Sequence, residues 1–194
     1  KSEVLTGPRD GVPYGRARIR LLWPSSKKVT WRTLPGVIQP KLQRSGSDVE
    51  LIADLSNVVT PRAPQGAPSR FDAVNAIEAT EFQNWAAVSA LLAPLYVKAA
   101  TLAAGGAVKA EAARIAAATT DPKMRAQLAL QLVQEQVRYL FLGMNDGGYV
   151  PAAADLTWSR RFGDCKGKTV LLVALLRELG IDARAVLVNT DRGD

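Results

Sequence analysis

No histidine occurs in the 194 residues, and there is one cysteine, Cys165. Zinc sites built from Cys and His sets are therefore excluded within the chain. So are an intrachain disulfide and any complete Cys–His or Ser–His pair. Long hydrophobic runs are absent too: no stretch of about 18 apolar residues reads as a membrane span. Aromatic residues make up only 6% of the chain and form no stacking series. Position 1 is Lys rather than Met, so the lack of a visible signal peptide decides no compartment.

Acidic residues are scarce in one region only. Residues 1–70 hold 12 Lys/Arg against 5 Asp/Glu, whereas residues 71–194 hold 13 of each, so the net charge of +7 lies in the first third. A nucleic-acid surface is one reading of such an excess. The basic residues are nevertheless scattered singly along strand-like segments, as at Arg16, Arg18, Arg20, Lys27, Lys28 and Arg32, which argues for a solvated strand face and no nucleic-acid partner. Hydrophobic residues at 47% and charged residues at 22% suit a globular chain able to bury a core.

The pattern then divides the chain. In YGRARIRLLW (14–23), Ala17, Ile19, Leu21 and Trp23 alternate with arginines, which predicts a half-buried strand. VTWRTL (29–34) reads alike, and VIQPKLQR and VELIADL flank a turn near Ser45–Asp48 as a hairpin. TPRAPQGAPSR (60–70) is a linker or long loop, and FDAVNAIEA (71–79) a further strand. From about residue 80 the period becomes helical. EFQNWAAVSALLAPLYVKAA predicts a helix bent or broken near Pro94, and AVKAEAARIAAA a second after Gly105-Gly106. Asp121-Pro122 caps a third, expected to reach about Phe141 with Leu130, Val133, Val137 and Leu140 on one face. GMNDGGYVP is turn-rich, and its Asp146-Gly147-Gly148 has too few carboxylates for a calcium loop. Residues 151–160 allow a short helix and 165–179 another, stopped by Gly180. ARAVLVNT (183–190) then reads as a buried strand.

The chemistry concentrates in FGDCKGKTVLLVALL (162–176), which admits two readings. A phosphate loop requires G-x-x-x-x-G-K-[ST]. Only three residues separate Gly163 from Gly167, and Asp164 would set a negative charge inside the amide nest. The other reading is a cysteine at a helix start. With Leu172, Leu175, Leu176 and Leu179 as the buried stripe, Cys165 falls seven residues before Leu172 on the same face, so its thiol is expected to point inward. A helix amino terminus and nearby Arg160, Arg161, Lys166 and Lys168 favour a thiolate there, and Asp164 is a natural N-cap. A small apolar cysteine in a core remains the plain alternative. Trp158 reads as a core residue, with lining of a substrate groove as the alternative. Arg160-Arg161 reads as a solvated turn, and Glu135 and Asp155 form no paired-carboxylate spacing.

Residues 138–190, through YLFLGMNDGGYVPAAADLTWSRRFGDC and FGDCKGKTVLLVALLRELGIDARAVLVNT, resemble the nucleophile segment of the transglutaminase-like superfamily. The form is similar to bacterial members with a β domain in front, and the chain departs from the frequent Asp-Cys-Lys-Asp-Lys at Gly167. The resemblance implies an α+β fold: a partial β-sandwich-like domain over 1–70, a mostly helical connector over 71–120, and the amino-terminal half of a transglutaminase-like, papain-like core over 121–194. It implies a cysteine enzyme acting on amide bonds through a thioacyl intermediate, as protease, amidase or transglutaminase, on a peptide or protein substrate and without cofactor. Cys165 would be the nucleophile, with Trp158, Asp164 and Lys166 as groove or supporting residues. In the family a histidine base follows the cysteine by several tens of residues, so the chain is expected to be a fragment and inactive alone. A periplasmic or envelope setting is implied, and a non-catalytic envelope binding or scaffold protein is the alternative.

The one-residue-short glycine spacing makes a first expectation: millimolar ATP or GTP gives no heat of binding in titration calorimetry. A micromolar Kd for either nucleotide would overturn this reading of Gly163–Gly167.

Overall fold

The computed structural model describes residues 2–8, 11–34, 36–60, 62, 64–68, 75–141, 143 and 148–188. Parts of four sequence readings lie outside them: residues 61, 63, 69 and 70 of the linker, 71–74 of the strand beyond it, 144–147 of the turn-rich loop, and 189–190 of the last strand. The chain divides into two compact units, one formed by residues up to Ala87, the other by Val88–Leu187.

The first unit is built of two three-stranded antiparallel sheets. In one, β5 (Asp48–Val58) is flanked by β2 (Tyr14–Pro24) and β4 (Lys41–Ser45). In the other, β6 (Ala76–Thr80) is flanked by β1 (Ser2–Thr6) and β3 (Thr30–Thr33). The alternation in β2 is realised as read: Ile19 and Trp23 are buried and Ala17 and Leu21 half-buried, while Arg16, Arg18 and Arg20 face water. The β4–β5 hairpin closes through Gly46, at φ +64°, a conformation that costs other residues and costs glycine little. Ile19, Trp23, Leu51 and Ala53 of one sheet pack in a single cluster with Ile77 of the other, which makes the unit sandwich-like.

The arginines of this unit are not a free basic face. Arg16 pairs with Asp54 at 2.8 Å, Arg32 with Glu78 at 2.5 Å, and Arg20 with the buried Glu50. On β2 and β5 these are diagonal cross-strand pairs, the sheet positions at which opposite charges stabilise one another. Buried Asn75, unnoticed in the sequence, ties the loops together. Its amide donates to Pro8 O and Thr60 Oγ1 and its Oδ1 accepts from Val37 N.

The second unit is helical: α1 (Trp85–Ala99), which starts at the end of the first unit, α2 (Ala107–Ala118), α3 (Pro122–Gln136), α4 (Ala154–Arg160) and α5 (Cys165–Glu178). Two short parallel strands, β7 (Arg138–Tyr139) and β8 (Phe162–Gly163), pair between them. Asp121 caps α3 as expected, its carboxylate accepting from Lys123 N, with Pro122 in the first turn. Val170, Leu171, Ala174 and Leu175 of α5 are at most 1% exposed. They share one core with Val108, Ala112 and Ile115 of α2, Ala129 and Val133 of α3, and Ala154 and Trp158 of α4. No helix among the described residues is long and apolar enough to cross a membrane.

Helix α1 continues through Pro94, so of the two expected outcomes the chain does not break there. Two local expectations are corrected. Helix α3 ends at Gln136, not near Phe141, and of its expected stripe only Val133 and Val137 are buried, Leu130 and Leu140 being exposed. Val137 turns extended so that Arg138 N can donate to Arg161 O and Leu140 N to Gly163 O, a tertiary pairing that outweighs helix continuation. Residues 183–188 form no strand, and Val186, Leu187 and Val188 are exposed. An apolar run becomes a buried strand only where a neighbouring strand supplies a ladder, and none does so among the described residues.

The Glu50 carboxyl is held below its ordinary range by hydrogen bonds from Arg20 and then Gln43, against the opposing effect of burial. Asp54 is likewise lowered, first by the Arg16 hydrogen bond. A depressed folded-state pKa contributes stability above the unfolded value, near 4.3 for Glu, and that contribution is lost as pH falls through the folded value. Stability of the β unit is therefore expected to drop in acid below about pH 4.3. Glu50→Gln should lower stability at neutral pH and flatten that acid limb, as read by urea unfolding across pH 2–7. An unchanged acid limb would overturn the assignment.

Candidate active site

The segment from Val137 to Lys168 builds one turn. β8 carries the chain along β7 to Gly163, and Asp164 then stops the extended run and caps α5. Its backbone is extended, and its Oδ1 accepts from Gly167 N at 2.9 Å. Cys165 is the first helical residue. The arrangement follows from local chemistry: a short carboxylate at the N-cap satisfies an amide that the first helical turn leaves without a partner.

Asp164 is 4% exposed and is doubly engaged. Its Oδ2 accepts from the Lys166 ammonium, while Oδ1 serves the helix. Burial works against the charge of Lys166, but the Asp164 hydrogen bond and charge, then Cys165 and Tyr96, carry its pKa above the usual lysine range. Tyr96, from α1, is raised mainly by burial, then by Cys165, with Lys166 opposing. Lys166 is thus an ammonium throughout the neutral range. Lys168, on the next turn, donates to Val137 O and so fastens the start of α5 to the end of α3.

Cys165 is exposed, which corrects the expectation of an inward thiol. Of the expected stripe, Leu175 and Leu179 are buried. The most buried residues are Val170, Leu171, Ala174 and Leu175, with Leu172 and Leu176 only partly covered. This rotates the core-facing side of α5 away from Cys165. The thiol stands at the amino-terminal end of a largely buried helix, on an exposed residue. A merely apolar, core-filling cysteine does not fit an exposed position.

Of the other sequence candidates, Trp158 is 5% exposed and belongs to the core. Its indole carries the Arg161 guanidinium 3.6 Å from the ring centroid. One edge of it also lines a shallow cavity of about 420 Å³ with Asp155, Ser159 and Arg161, a cavity that Cys165 does not line. Arg161 takes a left-handed conformation, φ 59°, at the end of α4. The phosphate-loop alternative meets a direct obstacle, because Gly167 is inside the helix and its amide is already given to Asp164. Sequence reasoning missed Tyr96 and Thr157. Tyr96 lies about 70 positions from the cysteine, and nothing local marks it.

Residues 109–193 match the model of the transglutaminase-like superfamily. The match covers less than half of the chain and takes in α2 to α5. A "putative protease" from Parabacteroides distasonis, known from a crystal structure, is similar in fold, with a TM-score of 0.72 over 92% of this chain at 16% identity. The chain spans 35% of the length of that protein. No curated protein matches.

Asp164→Ala removes the cap and leaves the partly buried Lys166 ammonium without its carboxylate. The cap alone is worth about 0.5–2 kcal/mol, so urea unfolding should show a loss of at least that size. Asp164→Asn keeps an acceptor for Gly167 N and should lose less. Equal losses in the two variants would overturn the capping assignment.

Proposed function

We propose that Cys165 is the nucleophile of a cysteine enzyme that acts on amide bonds of peptide or protein substrates. The observation that carries the reading is an exposed thiol on the first residue of a buried helix, in a segment that matches the transglutaminase-like superfamily. The fold likeness to a protein described as a protease points the same way.

In this reading the Cys165 thiolate attacks an amide carbonyl. The S–C bond forms and the carbonyl electrons move to oxygen. The tetrahedral species then collapses with cleavage of the C–N bond, the amine leaving with a proton, and a thioester remains on Cys165. Water completes hydrolysis and an amine completes transamidation. The residues described have distinct roles. Asp164 keeps the first turn of α5 closed under the nucleophile. Lys166, paired with Asp164, stands beside it. Both steps also require a group that takes and returns a proton near neutral pH, ordinarily histidine. The 194 residues contain none.

The 194-residue polypeptide alone is therefore expected to be alkylated at Cys165 by iodoacetamide without turning over substrate. General acid–base help contributes roughly 10²–10⁴-fold, and without it only slow thiol chemistry remains. The intact gene product should cleave a peptide library, or join a primary amine to glutamine side chains. Cys165→Ala in that protein should abolish either activity. Turnover by the 194-residue polypeptide, or undiminished turnover by the Cys165→Ala protein, would overturn the mechanism. An intact gene product without any Cys165-dependent turnover would favour a non-catalytic envelope binding or scaffold role.

A further inference from the structure

Thr157, on α4, is 1% exposed, and its Oγ1 has no hydrogen-bond partner among the described residues. A buried hydroxyl without a partner costs free energy, so hydrogen bonding within the protein does not explain its place. Its surroundings do. A Cβ built on Gly167 would stand 3.0 Å from Thr157 Oγ1, and one built on Gly163 would stand 3.0 Å from Thr157 Cγ2. Each is tighter than ordinary side-chain contact. Neither glycine has a positive φ, unlike Gly46 or Gly180, so backbone freedom is not what selects glycine at these two positions. Close approach is. The branched side chain of Thr157 lies between two glycines, four residues apart, that bracket Asp164, Cys165 and Lys166.

The geometry points to Thr157 as a positioning residue for Cys165: its side chain is a wedge, seated between Gly163 and Gly167, that sets where the turn from β8 into α5 holds the thiol. A β-branched side chain in a helix has few rotamers, so it yields little. A methyl group at residue 163 or 167 must instead move the turn. Moving the turn displaces Cys165 together with the cap that closes the helix beneath it. The position that departs from Asp-Cys-Lys-Asp-Lys, Gly167, thus has a partner that accounts for it. The inference rests on the reading of Cys165 as nucleophile.

The test is a set of variants of the intact gene product, assayed for kcat and KM at a temperature below every melting midpoint. Gly163→Ala and Gly167→Ala should each lower kcat roughly tenfold with KM unchanged, since displacement of a reacting group by about 1 Å costs about 100-fold and a few tenths of an ångström less. Thr157→Ala, which removes both wedge atoms, should restore kcat and melting midpoint in both glycine variants. Thr157→Ser removes only Cγ2 and should restore Gly163→Ala. Thr157→Val keeps the branched shape without the hydroxyl, so its kcat should stay well above that of Gly167→Ala. Failure of Thr157→Ala to restore either variant would overturn the wedge. So would a Thr157→Val protein as slow as Gly167→Ala, because the hydroxyl rather than the shape would then matter. A parent protein without Cys165-dependent turnover would overturn the nucleophile reading and the positioning role with it. The melting midpoints would still report the wedge itself, so the two failures are distinguishable.

Discussion

The carboxylate of Asp164 is the interaction on which the carboxy-terminal unit depends. One oxygen closes the first turn of α5 and the other holds the Lys166 ammonium. Helix α5 is the element that α2, α3 and α4 all pack against. A helix buried on most of its circumference cannot leave its terminal amides to water, so its start must be satisfied from within the protein. A short anionic side chain immediately before the helix does this at the spot where the thiol emerges. The same residue therefore closes the helix and holds Lys166 beside Cys165.

That start is also held from outside the helix. The parallel pair β7–β8 fixes the approach through Arg138 N to Arg161 O and Leu140 N to Gly163 O. Lys168 bonds back to Val137 O one turn later. Thr157 fills the space left by Gly163 and Gly167. Contacts from β7, from the end of α3 and from α4 leave the turn between them little freedom, a rigidity that the proposed nucleophile would need. The β unit solves a different problem. Three of its strand arginines, Arg16, Arg20 and Arg32, pair across the ladder with Asp54, Glu50 and Glu78.

Much of this architecture was legible because it is encoded locally. Period-two alternation in 14–23 located β2 and its inward face. The Ser45–Asp48 turn located the β4–β5 hairpin, and Asp121-Pro122 and Gly180 marked helix ends within a residue or two. The misplacements came where a distant partner decided. The end of α3 depends on β8, which lies more than twenty residues away in sequence. Residues 183–188 are an apolar run that finds no ladder among the described residues. The face of α5 differs because the unbroken apolar run Val170–Leu176 offers several stripes, and the neighbours choose among them.

The sequence by itself determined that any intrachain nucleophile of the cysteine kind is Cys165, that it begins a helix, that Asp164 caps it, and that no imidazole within these residues serves it. These are matters of composition and of contacts between residues close in the chain. Only the tertiary structure decided that the thiol faces outward, that Tyr96 and Lys166 share its surroundings, and that Gly163 and Gly167 are small because Thr157 stands against both. Such facts depend on which helix faces pack together. That choice minimises exposed apolar area over the whole unit, a sum that no window of sequence contains.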